Sequence, residues 1–304
     1  MTAQVPPEGE SSENDVSLQW PGALPRNKVK RLAKVWLGRL VSRLAPGKAE
    51  RVRQGAMDMS PTLAQRLMLA AWVHRCETNQ DLGALAPLHR WLWASQGAAR
   101  HHEEMARRFE RWWADGHHQI LDAIADQYDP GVFTELCEIG CGTGQAIRKF
   151  ADRFPALRQL TGWDLSPQQI ESNQATAFPD RIHFVCADAL DWLPKHARPG
   201  TIYLTIDGVY EYLSKAELER LFAALAQHSP AMVALVEPIP ADFDFARERE
   251  SRPYNDERSL GHHYPSILEE AGFEITWKTE VVDELRWCLL TAVTKPDGTR
   301  SSAS

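Results

Sequence analysis

No apolar run in the 304 residues approaches the roughly 18 needed to cross a bilayer, so no spanning helix is expected. The opening MTAQVPPEGESSEND has neither a basic start nor an apolar stretch, which argues against a secretory signal. Cysteine is scarce. The five, at positions 76, 137, 141, 186 and 288, are odd in number and form no CxxC. A disulfide framework or a zinc site is therefore not expected, and a reducing, cytoplasmic setting fits. An excess of base is also missing. The 41 acids outnumber the 34 Lys and Arg, for a net charge of −7. A general nucleic-acid binder is usually basic, so that class is disfavoured. Against these absences, 43% of the residues are hydrophobic and 25% charged. That composition supplies a core and excludes wholesale disorder. The length suggests two domains.

Residues 1–25 hold four acids, no bases and several Pro, Ser and Gly, which predicts a disordered tail. The charge then reverses: residues 26–53 carry ten Lys/Arg and one acid, Glu50. Val29, Leu32, Ala33, Trp36, Leu37, Leu40, Val41 and Leu44 recur at three- and four-residue intervals, one apolar stripe on a basic helix ending near Pro46-Gly47. Such a helix can dock on a membrane surface or an acidic partner. The preferred reading is that the stripe packs on its own protein or on a second subunit.

Residues 60–128 read as helical throughout, starting at Ser60-Pro61 and ending at the turn Asp129-Pro130-Gly131. Trp72, Trp91, Trp93, Phe109, Trp112 and Trp113 crowd this stretch as core residues or pocket walls. From residue 132 short apolar runs alternate with helical stretches. Strands are predicted at 134–139, 158–163, 182–186, 201–206, 231–236, 272–279 and 285–294. The first five alternate with helices, which implies βαβ units and a parallel sheet, and the last two form an antiparallel pair. The expected organisation is a helical region over 26–130, an α/β domain over 131–296 and a disordered tail over 297–304.

The chemistry concentrates in Glu135-Leu-Cys-Glu-Ile-Gly-Cys-Gly-Thr-Gly144, a strand followed by Gly140-x-Gly142-x-Gly144 and a helix over 145–153. Glycines there let a ligand approach the backbone, and the helix start offers free N–H groups. A dinucleotide fingerprint wants a small residue at position 145, which is Gln, and no Walker A ending in Gly-Lys-Ser/Thr is present. Asp164 ends the second strand 20 residues after Gly144, where an acid can hold both hydroxyls of a ribose. Acids close all five parallel strands: Glu138, Asp164, Asp188, Asp207 and Glu237. In open α/β sheets ligands bind at that end, so the set predicts a nucleoside-type ligand.

On these motifs, residues 132–295 resemble a class I S-adenosylmethionine-dependent methyltransferase. The resemblance implies a Rossmann-like seven-stranded, mostly parallel sheet with an antiparallel last strand carrying Trp287 and Cys288. It places Glu138, Gly140, Gly142 and Gly144 beneath the methionine part of the cofactor, Asp164 at the ribose and Leu165 against the adenine. Asp188 would meet the adenine amine beside a backbone contact from Ala189, and Asp207 would face the methionine end and the substrate.

Methyl transfer to an oxygen or nitrogen of high pKa needs a base. Glu211 and His262 are the candidates, with Tyr210, Tyr212, His263 and Tyr264 as substrate contacts. Each has a plainer reading: Glu211 as a first-turn helix acid, the tyrosines as core, Gly261-His-His-Tyr-Pro265 as a surface turn. Arg252 and Tyr254 fall in a long polar loop, 239–260, that could form a lid. His101-His102 and His117-His118 are adjacent pairs pointing about 100° apart, poor geometry for sharing a metal, and Cys141 simply fits its loop. The expected activity is methylation of a small molecule without metal or nucleic acid. Alternatives are a protein or peptide methyltransferase, a non-catalytic S-adenosylmethionine-binding scaffold, and an enzyme recruited to a membrane lipid. A homodimer is also expected to be possible.

Overall fold

The computed structural model describes residues 24–25, 27–58, 61–94, 96–255 and 258–294. Both expected tails, apart from residues 24 and 25, lie outside the described residues, as do Ser60 and the side chains of His101 and His102.

The chain opens with helices α1 (Lys28–Leu44), α2 (Pro46–Arg53), α3 (Leu63–Asn79) and α4 (Ala86–Ala94). Asn27 caps α1 by accepting from the N–H groups of Val29 and Lys30. The cap of α3 is Thr62, in a reciprocal box with Gln65, so this helix starts two residues later than expected from Ser60-Pro61. These helices bury their own small core, including Val52, Leu69, Val73 and Leu88. Of the α1 stripe, Val41 packs against this core, and most of the rest does not. Leu32 and Trp36 are each 64% exposed, while α1 meets α3 through Val35 and Gly38. A Cβ at Gly38 would lie 2.0 Å from the Leu67 carbonyl oxygen, so glycine permits this close approach. The expectation that the stripe packs on its own protein is thus corrected for all but Val41: the opposite face does most of the packing, and the other expected site, a second subunit, is not part of the single chain.

Helices α5 (Gln96–Trp112) and α6 (Gln119–Ala125) behave differently. Their Phe109, Trp112, Ile120 and Ile124 enter the core on one face of the sheet. A π-helical turn at Trp113–His117 separates the two helices.

The sheet then assembles from β1 (Glu135–Ile139), α7 (Gln145–Arg153), β2 (Gln159–Asp164), α8 (Pro167–Ala175) and β3 (Ile182–Cys186). It continues with α9 (Ala189–His196), β4 (Thr201–Thr205), α10 (Lys215–Ala226) and β5 (Ala231–Ile239). A short hairpin, β6 (Arg252–Tyr254) and β7 (Ser259–Gly261), interrupts the loop expected to be irregular. Helix α11 (Tyr264–Glu270) and strands β8 (Phe273–Val282) and β9 (Arg286–Thr294) close the described chain. The strand order is β3-β2-β1-β4-β5-β9-β8. The first five strands are parallel, and β9 inserts antiparallel between β5 and β8. Helices cover both faces, which is why β5 is buried at all nine positions. Crossover helices on both sides leave the C-terminal ends of the strands open at one edge, and α4 and α5 lie over that edge.

Candidate active site

A cavity of about 520 Å³ lies between the strand ends and helices α4 and α5. One end is made by the loop after β1. Gly140, Gly142 and Gly144 all have positive φ, at 72°, 45° and 75°. At Gly142 a Cβ would meet nothing within 4 Å, so the backbone there borders open space. Gly144 does not reach the cavity; it turns the chain into α7 beneath Phe178 and Phe184.

Glu138 is buried at the end of β1 and lines the cavity, and its Oε2 has no hydrogen-bond partner. Burial, with Asp207 and Asp164 nearby, holds its carboxyl well above the usual range. An orphaned buried acceptor of this kind is costly unless a ligand supplies a donor. Asp164, at the tip of β2, is also buried. Its two oxygens accept from the N–H groups of Gly142 at 3.0 Å and Ser166 at 2.9 Å. Two amides fix the carboxylate, and its remaining lone pairs can accept from a diol. Leu165, Ala189 and Leu190 add apolar walls beside it. Cys141 is buried in the same loop, and burial pushes its thiol well above the ordinary value, which removes nucleophilic character.

Asp188 caps α9 by accepting from the Leu190 N–H at 2.9 Å. Its second oxygen meets Arg90 Nε at 2.8 Å, and the same guanidinium reaches Glu217 Oε1 at 2.5 Å. Arg90 thus ties α4 to two elements of the sheet domain. No local pattern in the sequence marked it, because its partner Glu217 is 127 positions away. Glu217 also completes a capping box with Ser214 at the start of α10.

The other end of the cavity is aromatic, with Trp93, Phe109, Trp112 and Tyr212 on its walls. Trp93 and His89 stand edge-on to Tyr212, with ring centroids at 5.0 and 5.4 Å. Glu211 faces this space and accepts a hydrogen bond from the hydroxyl of Tyr254, contributed by β6. Burial raises the Tyr254 phenol, which keeps it a donor. Asp207 adopts φ 64° and lines the cavity. Its Oδ1 lies 2.7 Å from His117 Nδ1. His117 comes from the π-helical turn, and its Nε2 is buried without a partner. The sequence offered this histidine only as half of a disfavoured metal pair. Among the described residues no group of three or more His, Cys, Asp or Glu could hold a metal.

Other expected residues do not meet the cavity. Tyr210 is fully buried against Phe222. His262 is fully buried, with Nδ1 2.6 Å from Ser251 Oγ, and burial lowers its pKa to about 4. His263 caps α11, accepting from the Ser266 N–H at 3.0 Å, while Nε2 lies 2.9 Å from the Phe245 carbonyl oxygen. Tyr264 belongs to the core behind β5. The expectations of a base at His262 and of substrate contacts at Tyr210, His263 and Tyr264 are therefore corrected, because all four side chains are buried among the protein's own groups and none lines the cavity. Glu237, the fifth strand-end acid, binds the N–H groups of Val209 and Tyr210 instead of facing the cavity. Arg252 pairs with Asp242 and Glu248, away from the cavity.

Residues 136–230 match the methyltransferase-domain family. The chain is 26% identical over 155 residues to trans-aconitate 2-methyltransferase of Streptomyces avermitilis, covering 50% of this chain and 49% of that protein. It is 30% identical over 158 residues to the enzyme of that name in Escherichia coli O1:K1, covering 47% and 58%. The chain thus spans about half the length of the curated relatives it matches. Among solved structures it is similar to magnesium protoporphyrin IX methyltransferase from Synechocystis. That likeness has a TM-score of 0.46 and 19% identity, over 69% of this chain and 97% of that one. The stretch that carries the glycine loop and the strand-end acids Glu138, Asp164, Asp188 and Asp207 is thus similar to methyltransferase domains.

Proposed function

We propose that the protein transfers a methyl group from S-adenosylmethionine to a small neutral molecule bearing an O–H or N–H. The observation that carries this reading is the single cavity that joins the glycine loop and strand-end acids to the aromatic chamber under α4 and α5. Its volume, about 520 Å³, falls within the range of small-molecule sites.

When bound, S-adenosylmethionine would supply a methyl activated by attachment to a sulfonium: the S–CH3 bond breaks as the bond to the acceptor forms, and the neutral thioether S-adenosylhomocysteine is the leaving group. Glu138, with its unpartnered Oε2, would accept from the amino group, Asp164 from the ribose hydroxyls, and Leu165 and Ala189 would flank the base. Trp93, Phe109 and Trp112 exclude water from the acceptor, which sharpens positioning and electrostatics alike. Glu211, held by the Tyr254 hydroxyl, takes the proton that the acceptor releases. Glu211, Asp207 and Glu284 line this part of the cavity with Arg108, and the excess of carboxyls disfavours an anionic acceptor. Enclosure between helix and sheet supports a small molecule over a peptide. A cytoplasmic setting fits five cysteines without a disulfide.

The test is calorimetric titration with S-adenosylmethionine, on the native chain and on Asp164→Ala. One-to-one binding that the variant weakens about 100-fold is expected, since hydrogen bonds to a charged group contribute roughly 1.5–3 kcal/mol each. A turnover screen then compares phenols and amines with trans-aconitate, the compound in the relatives' names. Failure of the folded chain to bind the cofactor defeats the activity. Preference for the tricarboxylate defeats the neutral-acceptor part alone.

A further inference from the structure

The outward face of α1 is apolar and basic at once. At about 100° per residue, Leu32, Trp36, Val29, Leu40 and Leu44 fall within an arc of roughly 120°. Gly38, the contact with α3, lies on the opposite side. These five side chains are between 40% and 76% exposed. The arc extends along a helix of 17 residues, about 25 Å. Lys28 and Arg39 border it on one side, Lys30 on the other, and Arg43 sits within it. None of these four bases forms an ion pair among the described residues, and α1 carries no acid at all.

Beside the arc, Arg39 and Arg43 also line a second cavity, of about 360 Å³, together with Arg53 of α2 and Arg75 of α3. The guanidinium carbons of Arg53 and Arg75 each lie 5.6 Å from the Trp72 ring centroid, so that ring holds both. Of the four arginines only Arg53 has an acid partner among the described residues, Glu50 at 3.0 Å. Guanidinium forks of this density suit phosphate oxygens.

The geometry points to an anionic phospholipid surface as the occupant of this face, with α1 lying in the interfacial plane and the four-arginine cavity taking a lipid phosphate. Three features favour a bilayer. The apolar arc is long and continuous, Trp36 stands near its middle, and bases flank both sides, the layout of an interfacial helix. A second copy of the chain fits poorly, because any pairing of α1 with α1 brings bases against bases.

The experiment is cosedimentation of the full chain with vesicles of phosphatidylcholine alone and of phosphatidylcholine with one third phosphatidylglycerol. Binding to the anionic vesicles only, released by high salt, is expected. Trp36→Glu with Leu40→Glu should lower partitioning at least ten-fold. Arg39→Ala with Arg43→Ala should lower it roughly 30-fold, at about 1 kcal/mol per surface base. Both pairs lie on exposed positions, so thermal melting and cofactor titration should not change. Equal binding to neutral vesicles, or none to anionic ones, overturns the proposal. So does binding that appears only after residues 1–23 are removed, since the acidic segment would then be the occupant. A shift from dimer to monomer caused by Trp36→Glu with Leu40→Glu would assign the face to a second copy instead, and overturns it as well.

Discussion

The sheet and the four-helix layer above it bury their apolar residues by opposite rules. In the sheet, apolar runs go inside: β5 is buried at all nine positions because helices cover both faces. In the layer, the cleanest apolar stripe faces outward, and α1 is held by Val35 and Gly38 instead. A doubly covered strand has no face to choose, whereas an amphipathic helix has one and its sequence does not say what will cover it. Links between the layer and the sheet domain include Arg90, the Glu77–Arg258 pair and ring contacts to Tyr212.

The largest effect that would sharpen this contrast is chemical. If the sheet side alone supplies the base, Glu211→Gln should lower kcat by roughly 10²–10⁴-fold with cofactor affinity unchanged in titration. An unchanged kcat would move the proton to another group, with His117 of the helical side the next to test.

A smaller effect concerns stability within the sheet domain. His262 has an ordinary pKa of 6.5, lowered by burial to about 4. Between those values the unfolded chain binds a proton that the native chain does not. Stability is therefore complete above about pH 6.5 and declines as pH falls toward 4, by about 2 kcal/mol between pH 7 and pH 5. Urea melts at the two pH values should show this slope, and His262→Gln should flatten it. A slope that survives the substitution would assign it to other groups.

The smallest effect lies at the joint. Arg90→Met keeps the aliphatic stem and removes the bonds to Asp188 and Glu217. A loss of about 1–2 kcal/mol is expected, confined to the layer. Hydrogen exchange should accelerate in α1 to α4 and stay unchanged in β1 and β4. Equal acceleration in both would show that layer and sheet unfold as one unit.

The cofactor end of the cavity was legible because its signal is local. Glu138, Gly140 and Gly142 lie within five consecutive residues, and Asp164 follows at the spacing of one crossover helix. The acceptor end was only half legible. Glu211 and Tyr212 follow β4 directly and do face the cavity, whereas Tyr210 between β4 and Glu211 turns into the core. In a tight 3₁₀ turn, neighbouring side chains diverge, and periodicity cannot choose among them.

By itself the sequence determined the strand order of chemistry, the glycine loop and the strand-end acids, because alternation, turn residues and caps are short-range physics. Tertiary structure alone decided that His262 and His263 are buried away from the cavity, that Glu237 braces a turn, and that Arg90 and His117 reach Asp188 and Asp207 from a separate helical region. The Arg90 and His117 contacts join positions about a hundred residues apart. They form only when packing brings the elements together, and no local pattern encodes which neighbour a side chain will find.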